Sequence, residues 1–132
     1  AYALYQAYEA LGLVYSDRGD QAAAEKTFRD ARNRLPIYAA SLTVNLATVL
    51  YQSGRKDEAL RELESAKQQA RVELLPEAKT LFLRLGMLNA ELGRSEEARA
   101  ALREYLSLTA SNQDRAIEND RLQAARLLEK LR

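Results

Sequence analysis

One pattern recurs three times along this chain and restricts how it can fold. Each copy is centred on a tight turn that contains Gly19, Gly54 or Gly93, so successive glycines lie 35 and then 39 residues apart. A small residue precedes each glycine by seven positions, while alanine and a large apolar residue follow it by five and nine positions. The three sets are Gly12, Ala24 and Phe28, then Ala47, Ala59 and Leu63, then Gly86, Ala98 and Leu102.

Two helices joined at each glycine explain this pattern. Glycine adopts the left-handed backbone conformation that commonly ends a helix, and small residues at the paired positions let two helices approach closely. The composition agrees, because the 132 residues include only two prolines and five glycines. Ala, Leu, Glu, Arg and Gln dominate the chain, and all of them have high helix propensities. The chain is therefore predicted to be all-α.

The first unit carries the most complete set of marked positions. They are Tyr8, Leu11, Gly12, Tyr15, Ala24, Phe28, Ala31 and Pro36. This set resembles the tetratricopeptide repeat, whose 34-residue pattern places aromatic, leucine, glycine, alanine and proline residues at these offsets. The second unit departs from the pattern at Thr43 and Arg71, and the third at Asn89 and Tyr105. The resemblance implies a right-handed superhelical stack of antiparallel helix hairpins, a TPR-like α-solenoid of about seven helices.

The same marks predict the organisation of the chain. We expect helices at about 2–17, 20–34, 37–52, 55–73, 76–92, 95–109 and 113–131. The repeat units are predicted at about 5–38, 40–73 and 79–112, within a single domain that covers residues 1–132. The four extra residues between the second and third units should lengthen the helix that begins near Arg55, before Pro76 opens the next one.

The last predicted helix, at about 113–131, differs from a fourth repeat. Ser111 or Asn112 can start it, and Ile117, Ala124, Leu128 and Leu131 fall on one of its faces. Such a helix can cover the last apolar face of a stack, so we interpret it as a cap. The beginning of the chain has no comparable cap, and the chain is therefore expected to be an excerpt of a longer protein with further repeats upstream.

The N-terminal aromatic residues need a separate interpretation. Tyr8 and Tyr15 stand at repeat positions and are predicted to be core residues, and Leu11 should help Phe28 to fill the space beside the helix contact. The pattern does not account for Tyr2 and Tyr5. They could face an upstream repeat, or they could form an adhesive edge through which two copies of the chain make a homodimer.

The resemblance also implies a binding surface. In this family the first helix of each hairpin lines a concave groove, and a partner peptide or helix lies in that groove. The groove positions that we expect to contact a partner are Leu13, Val44, Asn45, Thr48, Tyr51, Leu83, Arg84 and Met87. The alternative is that several of these side chains pack against neighbouring helices.

Some family members bind the C-terminal tails of chaperones through a clamp of lysines, asparagines and arginine. Asn45 and Arg84 occupy two of the five clamp positions, whereas Glu9, Leu13 and Thr80 occupy the others. Because an acidic Glu9 would repel a carboxylate, this clamp is not expected here. Arg84 could still pair with a carboxylate of another ligand, or it could be a solvated helix charge.

The remaining composition limits the possible functions. The chain has no histidine and no cysteine, which removes the commonest general base and the commonest metal ligands, so we expect neither catalysis nor a metal or cofactor. A net charge of +1 argues against a nucleic-acid partner, including the RNA-binding alternative offered by other helical repeats. No apolar run approaches the roughly 20 residues that span a bilayer. Nothing in the sequence specifies a compartment.

These observations favour a protein–protein interaction module, a scaffold or adaptor. The alternative is a structural spacer or self-association segment of a larger enzyme or of a secretion-machinery protein.

Overall fold

A computed structural model describes residues 1–131, and every element in that range is helical. The eight α-helices are α1 (Tyr2–Asp17), α2 (Gln21–Arg34), α3 (Ala39–Gln52), α4 (Lys56–Ser65), α5 (Lys67–Val72), α6 (Thr80–Glu91), α7 (Ser95–Leu108) and α8 (Glu118–Lys130). Short 3₁₀ turns at Pro36–Tyr38, Pro76–Lys79 and Arg115–Ile117 precede α3, α6 and α8. The prediction of an all-α stack of antiparallel hairpins is confirmed.

The hairpins form at the three glycine turns. Gly19, Gly54 and Gly93 have φ values of +80°, +79° and +76°, which only glycine adopts without strain. In each turn the N–H that follows the glycine donates to a carbonyl five residues back along the chain, as Asp20 does to Tyr15 at 2.9 Å. These turns pair α1 with α2, α3 with α4, and α6 with α7.

Close helix contacts hold each hairpin together, as the small residues predict. A Cβ built on Gly12 would lie only 2.3 Å from Cζ of Phe28, and a Cβ on Gly86 would lie 2.6 Å from Cδ2 of Leu102. Ala24 opposite Gly12 has no exposed surface. The hairpins then stack side by side, with the first helices α1, α3 and α6 adjacent to one another.

The predicted single helix over 55–73 is wrong, because the structure divides it. Helix α4 ends at Ser65, and α5 begins at Lys67. The Ser65 hydroxyl donates to the Glu62 carbonyl at 2.8 Å, and bonds of this kind compete with the regular helix ladder. Pro76 also holds Leu75 in an extended conformation (φ −66°, ψ +128°), as expected for a residue that precedes proline.

The residues after α5 form a junction with two charged side chains at helix ends. Glu73, which is only 5% exposed, accepts hydrogen bonds from the N–H groups of Ala40 and Ser41 at 2.9 and 3.1 Å. The Lys79 ammonium donates to the carbonyl oxygens of Ala70, at 2.7 Å, and of two further residues near the end of α5. A carboxylate at a helix start and a cation at a helix end complement the helix dipole.

The outer side of the first two hairpins carries a network of six charged residues, the outer ion network. Arg29 of α2 lies within 3.2 Å of the carboxylates of both Glu58 and Glu62 on α4. Arg55 bonds to Glu25 at 2.6 Å. The members are Glu25, Arg29, Arg32, Arg55, Glu58 and Glu62.

Several expectations for the N-terminal side chains need correction, and Tyr5 does not form part of an exposed edge. Tyr5 is 2% exposed, because its ring packs against Tyr38 at 5.1 Å between ring centroids and its hydroxyl donates to Glu9. Leu11, in contrast, is 45% exposed, because no helix of the described chain covers its side of α1. Tyr8 and Tyr15, which we expected in the core, are half-buried and pack against it.

The start of the last helix also differs from the prediction. Asp114, rather than Ser111 or Asn112, caps the turn, since its Oδ1 accepts from the Ala116 N–H at 2.9 Å. Helix α8 proper begins at Glu118. Its Ala124 is fully buried, and the helix packs on α7 and on the end of α6.

Candidate functional site

Helices α3, α6 and α8 surround a cavity of about 980 Å³ on the inner side of the stack. We call it the inner cavity. Its floor is apolar and includes Ala47 and Leu88, which are 4% and 5% exposed and belong to the core. Its walls carry Met87 of α6 together with Leu122 and Leu127 of α8. A concave apolar site of this size is the usual form of a ligand or peptide site.

Three polar side chains form a hydrogen-bonded group at one side of the inner cavity. The Tyr51 hydroxyl and the Lys56 ammonium both donate to Oε1 of Glu91, at 2.9 and 3.0 Å. The Lys56 ammonium also lies 5.4 Å from the centre of the Tyr51 ring. Hydrogen bonds from Lys56 and then from Tyr51 lower the pKa of the Glu91 carboxyl below its ordinary value. The carboxylate therefore stays ionised, and its charge is already compensated.

Three cationic side chains line the rest of the rim. They are Arg84 of α6 and Arg126 and Lys130 of α8. All three are exposed, and none has an ion pair or side-chain hydrogen bond within the part of the chain that the structure describes. These three side chains add positive charge to the rim of the inner cavity.

Polar contacts fix α8 as the third wall. Nη1 of Arg121 donates to the Leu106 carbonyl at 2.8 Å and also bonds to Oγ1 of Thr109. Nη1 of Arg99 on α7 donates to the Leu131 carbonyl at 2.6 Å. These contacts orient the helix so that Leu122 and Arg126, one turn apart, both face the inner cavity.

The structure brings four of the eight predicted groove residues together. Thr48, Tyr51, Arg84 and Met87 all line the inner cavity. Thr48 donates its hydroxyl to the Val44 carbonyl at 3.0 Å, so its methyl group is the part available for contact. The four positions lie on α3 and α6, the two inner helices that meet the last helix.

The other four predicted residues lie elsewhere. Leu83 is 4% exposed and part of the core, so it does not present a free surface. Val44 is half-buried against the same core, and Asn45 donates to the carboxylate of Glu9 at 3.1 Å. Leu13 is 47% exposed but belongs to α1, away from the inner cavity.

The groove prediction did not include the residues of α8. Leu122, Gln123, Arg126, Leu127 and Lys130 line the inner cavity, although sequence reasoning treated α8 only as a cap. A partial signal was present, because Leu122 and Leu127 are not members of the predicted capping face and are further apolar side chains on the same helix.

Comparison with known protein families identifies the family to which this chain belongs. A family model described as tetratricopeptide repeat matches residues 38–111, more than half of the chain. A second model of the same description matches residues 5–31. The chain belongs to the tetratricopeptide repeat family. No curated protein matches its sequence significantly.

Solved structures of similar fold cover almost the whole chain. The crystal structure of PcrH from Pseudomonas aeruginosa is similar with a TM-score of 0.76 and 19% identity, over 99% of this chain and 93% of that one. The type III secretion translocator chaperone SycD of Yersinia enterocolitica has a TM-score of 0.76 and 15% identity, over 99% and 85%. SycD in complex with a peptide of the translocator YopD gives 0.75 and 16%, over 99% and 93%. At these identities the likeness is one of fold.

Neither a candidate metal site nor a membrane-spanning helix is found within residues 1–131. No group of three or more acidic side chains is arranged to hold a metal ion in this range. None of the helices formed by these residues combines the length and apolarity needed to cross a bilayer.

Proposed function

We propose that this tetratricopeptide repeat domain is a protein-interaction module, a scaffold or adaptor, that binds a peptide or helix of a partner protein in its inner cavity. The observation that carries the proposal is the exposure of large apolar side chains around that cavity. Tyr51 is 42% exposed and Leu122 is 48% exposed. Complete burial of one such side chain contributes roughly 1.5–3 kcal/mol, so a few contacts can hold a short segment.

The structural neighbours support peptide binding as a capacity of this scaffold. One of them, SycD, is solved in complex with a peptide of the translocator YopD. The fold is shared across nearly the full length of both chains, whereas few residues are identical. The neighbour therefore supports the mode of binding, a segment held by a helical repeat, and the partner of this chain must be read from its own residues.

A second candidate function is self-association through the side of α1 that carries Leu4, Leu11 and Val14, the N-terminal face. These residues are 44%, 45% and 44% exposed, and their spacing puts them on one side of the helix. Adjacent exposed apolar residues of this kind are typical of interaction surfaces. In this case the chain acts as a homodimer or as a spacer segment that is joined to its neighbours through α1.

A capture experiment with two matched variants distinguishes the two functions. The chain, its Tyr51→Ser/Leu122→Ser variant and its Leu4→Ser/Leu11→Ser variant are immobilised and exposed to lysate of the source organism. Each variant removes two side chains of similar exposure. A partner lost only from the Tyr51→Ser/Leu122→Ser variant supports the inner cavity, whereas loss only from the other variant places binding on the N-terminal face.

Sedimentation of the purified chain tests self-association directly. A homodimer through the N-terminal face should become a monomer in the Leu4→Ser/Leu11→Ser variant and stay a dimer in the Tyr51→Ser/Leu122→Ser variant. A chain that is monomeric at every concentration, and that also captures nothing, would contradict both functions.

A further inference from the structure

The charges around the inner cavity are strongly uneven. The side chains that line it include three cations, those of Arg84, Arg126 and Lys130. Among the described residues the lining has a single carboxylate, that of Glu91. Glu91 already accepts hydrogen bonds from Lys56 and Tyr51. The chain as a whole has a net charge of only +1, so this local excess comes from the arrangement of the helices and not from the composition.

Helix α8 creates most of this unevenness. It contributes Arg126 and Lys130, one helical turn apart, to the rim of the inner cavity. Its acidic residues Glu118, Asp120 and Glu129 are not among the residues that line the cavity. The helix thus contributes two cations, beside Leu122 and Leu127, and no carboxylate to the lining of the cavity.

We propose that α8 is a wall of the binding site that selects its ligand, and that the ligand is a peptide segment with aspartate or glutamate side chains next to an apolar anchor. This inference rests on the proposed binding function of the inner cavity. The anchor occupies the apolar space between Met87, Leu122 and Leu127, and the acidic side chains pair with Arg84, Arg126 and Lys130.

The two kinds of contact have different roles. Burial of the apolar anchor supplies most of the affinity, because exposed ion pairs contribute little each. The cations at the rim supply selectivity and faster association, since complementary charge favours matching segments and repels basic ones. Binding should therefore weaken moderately at high salt, because exposed charges are screened, without being abolished.

Selection from a phage-displayed library of random peptides tests the proposal and requires no identified partner. The probe is the library, and the target is the complete 132-residue chain. The expected result is enrichment of peptides that combine Asp or Glu with a large apolar residue. Synthetic copies of the enriched peptides, with the C-terminus either free or amidated, are then titrated against the chain.

Matched charge variants assign the effect to the rim. The Arg84→Gln/Arg126→Gln/Lys130→Gln variant removes three cations from the inner cavity. The control, Arg61→Gln/Arg103→Gln/Arg115→Gln, removes three exposed cations that lie outside it. Affinity for the acidic peptides should fall by about tenfold or more in the first variant, equivalent to about 1.4 kcal/mol, and should be unchanged in the control. Thermal melting of both variants verifies that they are folded.

Each of the other outcomes overturns a defined part of the argument. Enriched peptides that lack acidic residues, and that lose affinity in the Tyr51→Ser/Leu122→Ser variant, would leave the binding function intact and refute the selection of acidic segments. Acidic peptides that bind the triple variant and the control equally would refute the role of the rim. Loss of binding on amidation would show that a chain terminus, not an internal segment, is recognised. A library from which nothing is enriched would refute the binding function itself.

Discussion

The two interfaces between successive hairpins have the same helix arrangement but different chemistry. Between the first and second hairpins, the connection is short, with Leu35 buried before Pro36, and the outer ion network links α2 to α4. Between the second and third hairpins, the turn glycine and the following proline are five residues further apart than in the first connection. Glu73 of this connection reaches back to the start of α3, and Lys79 bonds to the end of α5. The longer connection thus supplies charged partners for helix-end groups on both sides, including the start of α3 that the short connection leaves without a side-chain partner of its own.

The largest effect is expected for the buried apolar side chain of the first connection. Leu35→Ala should lower the free energy of unfolding by about 3 kcal/mol, because it removes a buried side chain and leaves a cavity. The matched change is Leu75→Ala, at the corresponding position before Pro76, where the side chain is only half-buried. Urea denaturation should give a clearly smaller loss there, and equal losses would contradict the distinction between the two junctions.

The next effect concerns the buried carboxylate of the second junction. Glu73→Gln should destabilise the chain by about 2 kcal/mol, because the amide has one acceptor oxygen for the N–H groups of Ala40 and Ser41 and its NH₂ group repels the other donor. The control is Glu77→Gln, a nearby acidic residue of the same connection that is exposed, which should leave denaturation unchanged. A neutral result for Glu73→Gln would mean that the carboxylate does not hold the start of α3.

A smaller effect is expected for the cation of the same junction. Lys79→Met keeps the apolar stem of the side chain but removes the donor to the carbonyls at the end of α5. We expect a loss of about 1 kcal/mol, since water can replace part of these bonds. Lys67→Met, which removes a cation from an exposed i,i+3 pair with Glu64, should cost a few tenths of a kcal/mol at most. Thermal unfolding of the two variants measures the difference.

The smallest effect belongs to the outer ion network and depends on pH. Hydrogen bonds from Arg55 foremost lower the pKa of Glu25. Burial alone would raise the pKa of Glu62, but hydrogen bonds from Arg32 and Arg29 outweigh it and lower that pKa as well. Carboxylates with depressed pKa values stabilise the fold above the ordinary carboxyl pKa, and this stability is lost as the pH falls through the lowered values.

The measurement is the free energy of unfolding at neutral pH and at about pH 3, below the ordinary carboxyl pKa. The Glu25→Gln/Glu62→Gln variant should lose up to about 1 kcal/mol at neutral pH and should show a weaker decline toward acid than the unaltered chain. Parallel declines in the two proteins would show that the network does not link the first two hairpins energetically.

The sequence predicts the hairpins well because each depends on local chemistry. Left-handed glycines at Gly19, Gly54 and Gly93 and small residues such as Gly12 and Gly86 act within a single unit, and a repeated pattern makes them recognisable. The break at Ala66 was not predictable in this way. The Ser65 hydroxyl bonds to the Glu62 carbonyl there, but serine also lies inside the unbroken helices α3 and α7 and is no distinct signal. The contact of Glu73 with a helix start more than thirty residues earlier in the chain has no local pattern either.

The residues of the candidate site were predictable only where the repeat pattern includes them. Thr48, Tyr51, Arg84 and Met87 stand at repeat positions whose direction follows from the helix register. Leu83 stands at such a position too, but it packs in the core. The contribution of α8 depends on how Arg121 and Arg99 dock this helix against α7, which is a tertiary contact that the repeat pattern does not include.

The docking of α8 has a consequence for the dynamics of the chain. Since α8 is one wall of the inner cavity, the complete cavity exists only while α8 stays on α7, and occupancy and docking are thermodynamically linked. A ligand that spans α6 and α8 at a hundred times its Kd would suppress local opening of α8 by about 2.7 kcal/mol. Amide hydrogen exchange would then slow by about a hundredfold in α8 and remain unchanged in those amides of α1 that exchange through local fraying. The last helix would thus report on the state of the site from outside the repeats.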